Sequence, residues 1–243
     1  MRFDSYADAA KEVVGECNLC GSKSFSPVAM LDRYELLAPS VMCDSCGLKF
    51  LYVRGHYRRL LTQHFGRDFS PHSIEAEQER YAERLCGWLA PFMEKTRGGL
   101  LLDLGGSTGV VADRLSTTFN LDATVVEPSQ AEADRARSRG LAVANVRLED
   151  YAAGGNHYDL VTLCQTVDHL LDIKAALSSI RQWVAPDGLF FVDFVEGGPT
   201  KIDHPFYLQG VTMQKYVGQA GFKVVAMDSS TDGIHVNVIC KAA

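Results

Sequence analysis

The chain has 243 residues, 47% of them hydrophobic and 22% charged, and a formal net charge of −6. This composition suits one globular domain of ordinary size with a small appendage, and it excludes a bilayer span because no apolar run approaches ~20 residues. The charge is uneven: residues 1–98 hold 13 basic and 13 acidic side chains, while 99–243 hold 11 and 17. An acidic C-terminal part repels a phosphate backbone, which disfavours a large nucleic-acid substrate and leaves room for a small anionic molecule met by a few arginines.

In chain order, the first 16 residues are expected to form a short helix or a frayed end. They are too polar and acidic for a secretory signal, so the cytoplasm is the default compartment. Cys17-Asn18-Leu19-Cys20-Gly21 and Cys43-Asp44-Ser45-Cys46-Gly47 then repeat one design, 22 residues apart. Two sulfurs three positions apart can grip one ion from a tight turn. Two such turns supply the four thiolates of a closed structural zinc site, with no ligand position left for hydrolytic chemistry. The alternative is a set of reduced buried cysteines, and it does not explain why one turn occurs twice. Residues 25–30, 40–42 and 48–53 read as short strands of a zinc ribbon, a module too small to stand without metal.

Residues 54–98 read as connecting helices. Arg54, His56, Arg58, Arg59, His64 and Arg67 give a locally basic stretch, which is either a solvated helix face or an anion-facing lid. Ser73 fits an N-cap ahead of a helix running through Tyr81, Leu85 and Trp88 towards Pro91. Residues 96–99 form the expected hinge.

From Leu100 the pattern alternates. Strands are expected near 100–104, 123–127, 142–146, 159–164, 188–195, 222–228 and 234–240, with helices near 108–118, 129–138, 173–184 and 211–220. That order implies a mostly parallel sheet covered on both faces. A turn at 230–233 makes the last two strands a hairpin, so the final strand should run antiparallel. The stretch LLLDLGGSTG (100–109) reads as strand, glycine-rich loop and helix, the entry to a nucleotide-binding unit. It lacks the G-x-G-x-x-G spacing of a dinucleotide fingerprint, because Ser107 and Val110 stand where glycines would be. Asp103 is thereby free to meet a cation. Glu127 closes the second strand, where a ribose diol is gripped.

The succession LLDLGGSTG, VVEPS, RLED, YDLVTL, VDHLLD and WVAPDGLFFVDF resembles the core of class I S-adenosylmethionine-dependent methyltransferases over roughly residues 99–243. The expected fold is therefore α/β: a Rossmann-like, seven-stranded, mostly parallel sheet with an antiparallel last strand. A zinc-ribbon module (1–53) and a helical linker or lid (54–98) precede this core (99–243). The resemblance implies S-adenosylmethionine as cofactor. Asp103 would face its cationic end, Gly105, Gly106, Ser107 and Gly109 would form the turn beside it, and Glu127 would take the ribose hydroxyls. Similar proteins carry an acid at the place of Arg147 to receive the adenine amino group. Arginine cannot accept that bond, so Leu148 (backbone) and Glu149 are the substitutes. Gln165 is expected as a cofactor or pocket contact, and His169 and His204 are the candidate catalytic groups. His169 lies in a segment that resembles L-E-H-L-x-D, where histidine often supports the loop.

A CxxCG…CxxCG module joined to such a core resembles a bacterial group of small-molecule methyltransferases, many of them similar to enzymes of surface-polysaccharide or deoxysugar assembly. Sugar C-methyltransferases with a zinc module are much longer than this chain. The expectation is methyl transfer to oxygen or nitrogen of a sugar, nucleotide-sugar or other small polar metabolite. RNA methylation and a non-catalytic, cofactor-binding scaffold are the alternatives, and a nicotinamide oxidoreductase is the residual fold alternative.

Overall fold

The computed structural model describes residues 11–33, 35, 37–55, 71–93, 98–197, 201–202, 204–229 and 234–243. Residues 1–10 of the expected N-terminal helix or frayed end, His56, Arg58, Arg59, His64 and Arg67 of the basic stretch, hinge residues 96–97 and the turn at 230–233 lie outside the described residues. Among those described, no helix is long and apolar enough to cross a membrane.

Among the described residues, five short strands come first: β1 (Lys11–Val13), β2 (Phe25–Leu31), β3 (Leu37–Cys43), β4 (Lys49–Leu51) and β5 (Val53–Gly55). β2, β3 and β4 form an antiparallel ribbon, and β1 pairs with β5. Two expectations change here. Residues 11–13 are a strand, because β5 offers them an edge. Arg54 lies in that strand and not in a linker helix; its Nη1 donates to the Leu171 carbonyl at 3.0 Å.

Helix α1 follows (Pro71–Met93). Ser73, expected as its N-cap, lies inside it. Proline at the first helical position needs no N–H partner and has a fixed φ suited to the first turn, so the helix starts at Pro71.

The core consists of β6 (Leu100–Leu104), α2 (Val110–Phe119), β7 (Asp122–Val126), α3 (Gln130–Ser138), β8 (Ala142–Ala144), β9 (Tyr158–Leu163), α4 (Ile173–Trp183), β10 (Val184–Val195), β11 (Phe206–Tyr207), α5 (Gly210–Gln219), β12 (Phe222–Ser229) and β13 (His235–Ala242). Seven strands form one sheet in the order β12-β13-β10-β9-β6-β7-β8. All neighbours are parallel except β13, which runs antiparallel to both β10 and β12. The expected architecture is the one found.

Successive residues of the central strands feed opposite layers, as a period of two requires. Leu102, Val161, Phe190 and Val192 pack with Ile173, Leu177, Ile180 and Val217 of α4 and α5. Leu101, Leu160 and Phe191 pack with Leu85 and Leu89 of α1 and Leu115 of α2. α4 shows why the elements form where they do. Its buried residues Ile173, Ala176, Leu177 and Ile180 share one helical face, and the Asp172 carboxylate caps it by accepting from Ala175 N.

The ribbon is fused to this core. β11 leaves the core and pairs with β4 through Phe206 opposite Phe50, so the ribbon sheet is ordered β11-β4-β3-β2. Leu51 N also donates to the Pro205 carbonyl, and Ile202 N to the Asp32 carboxylate. Asn18, inside the first cysteine turn, donates to Asp172 at 2.8 Å and accepts from the Tyr216 hydroxyl at 2.9 Å. One side chain thus ties that turn to the start of α4 and to α5.

Candidate active site

The carboxyl ends of β6, β7, β9 and β10 open onto a cavity of about 940 Å³ covered by α1. Small-molecule sites span roughly 300–1,000 Å³, so this one has room for a cofactor and an acceptor together.

The glycine turn builds one wall. Gly105 N donates to the Val126 carbonyl, which ties the turn to the end of β7. At Gly106 an added Cβ would stand 2.6 Å from Asp103 Oδ2 and 2.8 Å from Val125 Cγ1. Only a bare backbone fits there. Ser107 takes a left-handed φ of 49° where this turn would tolerate glycine, so its departure from the glycine pattern is one of backbone strain. Gly105, Gly106 and Ser107 all line the cavity. Gly109, also expected at the cofactor, is not among the lining residues. Its Cβ direction meets Leu141 and Ala136 at 2.6 and 2.9 Å, so its smallness lets α2 pack against α3.

Two acids stand behind the turn. Glu127, 5% exposed, accepts Ser107 N on Oε2 at 3.0 Å and Ser129 N on Oε1 at 2.7 Å. Each carboxylate oxygen keeps a second lone pair, enough for a pair of ribose hydroxyls. Asp103, 1% exposed, accepts the Thr162 hydroxyl on Oδ1 at 2.7 Å, and its Oδ2 has no hydrogen-bond partner. Burial raises the Asp103 carboxyl to about 6 and the Glu127 carboxyl to about 7. A sulfonium with an α-amino group, the chemistry expected here, would supply the cationic partner that these acids lack.

Leu148 and Glu149 lie in a short 3-10 turn and both line the cavity, as does Arg147. The Arg147 guanidinium is paired with Asp150. Gln165, at a left-handed φ of 47°, also lines the cavity, and its N–H donates to Asp193 Oδ1 at 2.7 Å.

The two candidate histidines separate. His169 lines the cavity and His204 does not. His204 stands behind it: their ring centroids are 4.5 Å apart, nearly edge to face, and His204 Nδ1 is 2.8 Å from Asp168 Oδ2. Asp168 is buried, yet the His204 hydrogen bond and the nearby imidazoles hold its carboxyl down at about 2.

Sequence reasoning missed the far half of the cavity. Asp193 of β10 is fully buried, and burial pushes its carboxyl to about 7, with the Tyr81 hydroxyl facing it. Tyr81 and Trp88 reach in from α1, and His235 and Asn237 from β13. The available signal was one acid inside the apolar run Leu189-Phe190-Phe191-Val192-Asp193-Phe194, since an acid is rarely buried without a task. α1 is held over the site by Thr108 Oγ1 donating to Gln78 Oε1, and by ion pairs of Glu75 with Arg135 and Glu79 with Arg114.

These acids have a consequence for stability. Asp103, Glu127 and Asp193 hold protons in the fold to higher pH than in the unfolded chain, so stability falls as pH rises from their unfolded values near 4 through about 7. The ligand-free protein, kept metal-replete, should lose on the order of 2 kcal/mol in urea denaturation between about pH 5.5 and about pH 8. A rise over that interval would contradict the burial of these groups.

At the ribbon, the sulfurs of Cys17, Cys20, Cys43 and Cys46 all lie within 4.8 Å of one another, with Cys17–Cys46 and Cys20–Cys43 at 3.5 Å. A tetrahedron of ~2.3 Å zinc–sulfur bonds has edges of ~3.8 Å, so the donor set fits that ion.

A family described as a methyltransferase domain matches residues 77–227, more than half of the sequence, and the chain belongs to it. Its sheet order and antiparallel seventh strand are those of the class I fold that solved S-adenosylmethionine-dependent methyltransferases share. The chain is 24% identical over 181 residues to the O-methyltransferase cnsE of Penicillium expansum, covering 67% of this sequence and 66% of that relative's length. Magnesium protoporphyrin IX methyltransferase from Synechocystis, solved with S-adenosylmethionine bound, shares the fold at a TM-score of 0.61 and 12% identity, over 77% of this chain and 97% of that one. An S-adenosylmethionine-dependent methyltransferase from Clostridium acetobutylicum does so at 0.57 and 13%, over 68% and 92%.

Proposed function

We propose that the chain transfers the methyl group of S-adenosylmethionine to an oxygen or nitrogen of a small polar acceptor, a sugar or related metabolite. The observation that carries this reading is a single cavity joining the turn at 105–107 to a second compartment beneath α1. In the first compartment, Asp103 would face the amino-acid end of the cofactor and Glu127 the ribose. Leu148 and Glu149 would meet the adenine, and Gln165 would bound the site on the β9 side. The cofactor supplies a methyl carbon activated by a positive sulfur. The chain's contribution is alignment in a space shielded from water.

His169 is the proposed proton acceptor for the attacking group, and His204, itself held by Asp168, is a positioning residue behind it. The four cysteines are proposed to hold a structural zinc ion, with residues 1–53 as the ribbon, 54–98 as a linker that ends in the lid α1, and 99–243 as the catalytic core. The acids around the cavity favour a neutral or cationic acceptor over a nucleotide-sugar, whose diphosphate they would repel.

The test is transfer of a radiolabelled methyl group from S-adenosylmethionine to a panel of free sugars, amino sugars, nucleotide-sugars and RNA. Label is expected in the small molecules. Label confined to RNA would overturn the reading, and cofactor binding with no transfer to any acceptor would favour a scaffold.

A further inference from the structure

The compartment under α1 combines features that the cofactor-facing wall does not use. Its floor is Asp193, without solvent exposure, one oxygen accepting from Gln165 N and the carboxyl faced by the Tyr81 hydroxyl. The groups that face this carboxylate are Tyr81, Cys164, His235 and Asp168. Of these only His235 can gain a positive charge, and the low-dielectric floor otherwise offers the acid no cation.

The sheet extends this polar ground. Asn237 lies opposite Asp193 across the β10–β13 pair and opposite Asp228 across the β12–β13 pair, so three polar side chains form a row over three strands. All three line the cavity. The roof brings two aromatic rings together with Arg84, whose side chain is exposed. Tyr81 and Trp88, seven positions apart, share a face of α1. Trp88 packs edge-on against Phe191 at 5.7 Å, and Phe191 stands two residues before Asp193 on the same side of β10. A buried carboxylate below and aromatic rings above form the usual surroundings of an organic cation.

We propose that this compartment is the acceptor subsite and that it takes a small organic amine, whose ammonium group is held by Asp193 and sheltered by Tyr81 and Trp88. Asn237 and Asp228 then offer hydrogen bonds to hydroxyl groups on the same molecule. A phosphorylated acceptor would enter against Asp193, Asp228 and the acids of the cofactor wall. A neutral sugar brings no cation to this carboxyl, whose burial then favours the protonated form, so it gains no ion pair there. This assignment rests on the methyl-transfer reading, and it selects among the acceptors which that reading allows.

Calorimetry on the full zinc-loaded chain separates the two. S-adenosylhomocysteine is titrated first, and its failure to bind would overturn the methyl-transfer reading and this assignment with it. Glucosamine, ethanolamine, putrescine, glucose and glucose 1-phosphate are then titrated into the saturated complex. At least one amine should bind about tenfold or more tightly than glucose, and glucose 1-phosphate should not bind. Asp193→Asn keeps an acceptor for Gln165 N. It should hold S-adenosylhomocysteine within about twofold of the parent while amine affinity falls about thirtyfold or more. Binding of no amine, preference for the neutral or phosphorylated sugar, or unchanged amine affinity in Asp193→Asn would each overturn the subsite.

Discussion

Replacing Cys43 with serine, or stripping metal with a chelator, should unfold the ribbon and abolish methyl transfer while leaving cofactor affinity largely intact. The ribbon has little core of its own: Leu19, Leu48 and Phe50 are buried largely against groups of the main core, among them Phe206, Met213 and Tyr216. Structural zinc contributes ~10–16 kcal/mol of apparent binding free energy in small zinc modules, far more than so few apolar side chains supply. Loss would spread because β11 is a strand of the ribbon sheet, and Pro205 accepts from Leu51. His204 sits on that connection, against Asp168 and His169. Without the ribbon, the histidine pair loses its support from one side, whereas Asp103, Glu127 and the glycine turn belong to the sheet. Metal analysis should find one zinc per chain, lost together with turnover. A chain that binds no zinc, or that keeps full turnover without it, would refute this role.

Gly106→Val should raise the dissociation constant for S-adenosylmethionine by about 100-fold or more. A side chain there meets Asp103 Oδ2 at 2.6 Å and Val125 at 2.8 Å. Neither neighbour can yield cheaply, since Asp103 is pinned by Thr162 and Val125 belongs to β7 inside the core. The turn itself must move, and with it Ser107 N, the donor to Glu127. Far-ultraviolet circular dichroism should stay near that of the parent while binding is lost. Retained affinity would place the cofactor elsewhere in the cavity.

What could be read in the sequence, and what could not, follows the range of the interactions. The strands and helices of the core were legible because each carries its own periodicity and its own glycine or cap; Asp172 ahead of α4 is one instance. The cysteine turns were legible because a repeated local spacing needs no tertiary knowledge. Glu127 and Asp103 were legible from their places at strand ends. The short β1 was not, since three residues take strand geometry only when β5 lies alongside. Nor was the β11–β4 pairing, which joins residues more than 150 positions apart. Asp193, Tyr81 and Asn237 escaped for the same reason. Asp193 carried a local signal as the one acid in an apolar run, but only the sheet order and the lid bring the three together. Gly109 shows the opposite error: a glycine in the right motif that serves helix packing.

The most direct test is calorimetric titration of S-adenosylhomocysteine into the parent chain and into Glu127→Ala. The account predicts one site per chain in the parent and an affinity lower by about 100-fold or more in the variant, the cost of losing two charged hydrogen bonds. No binding by the parent, or equal binding by both, would contradict it.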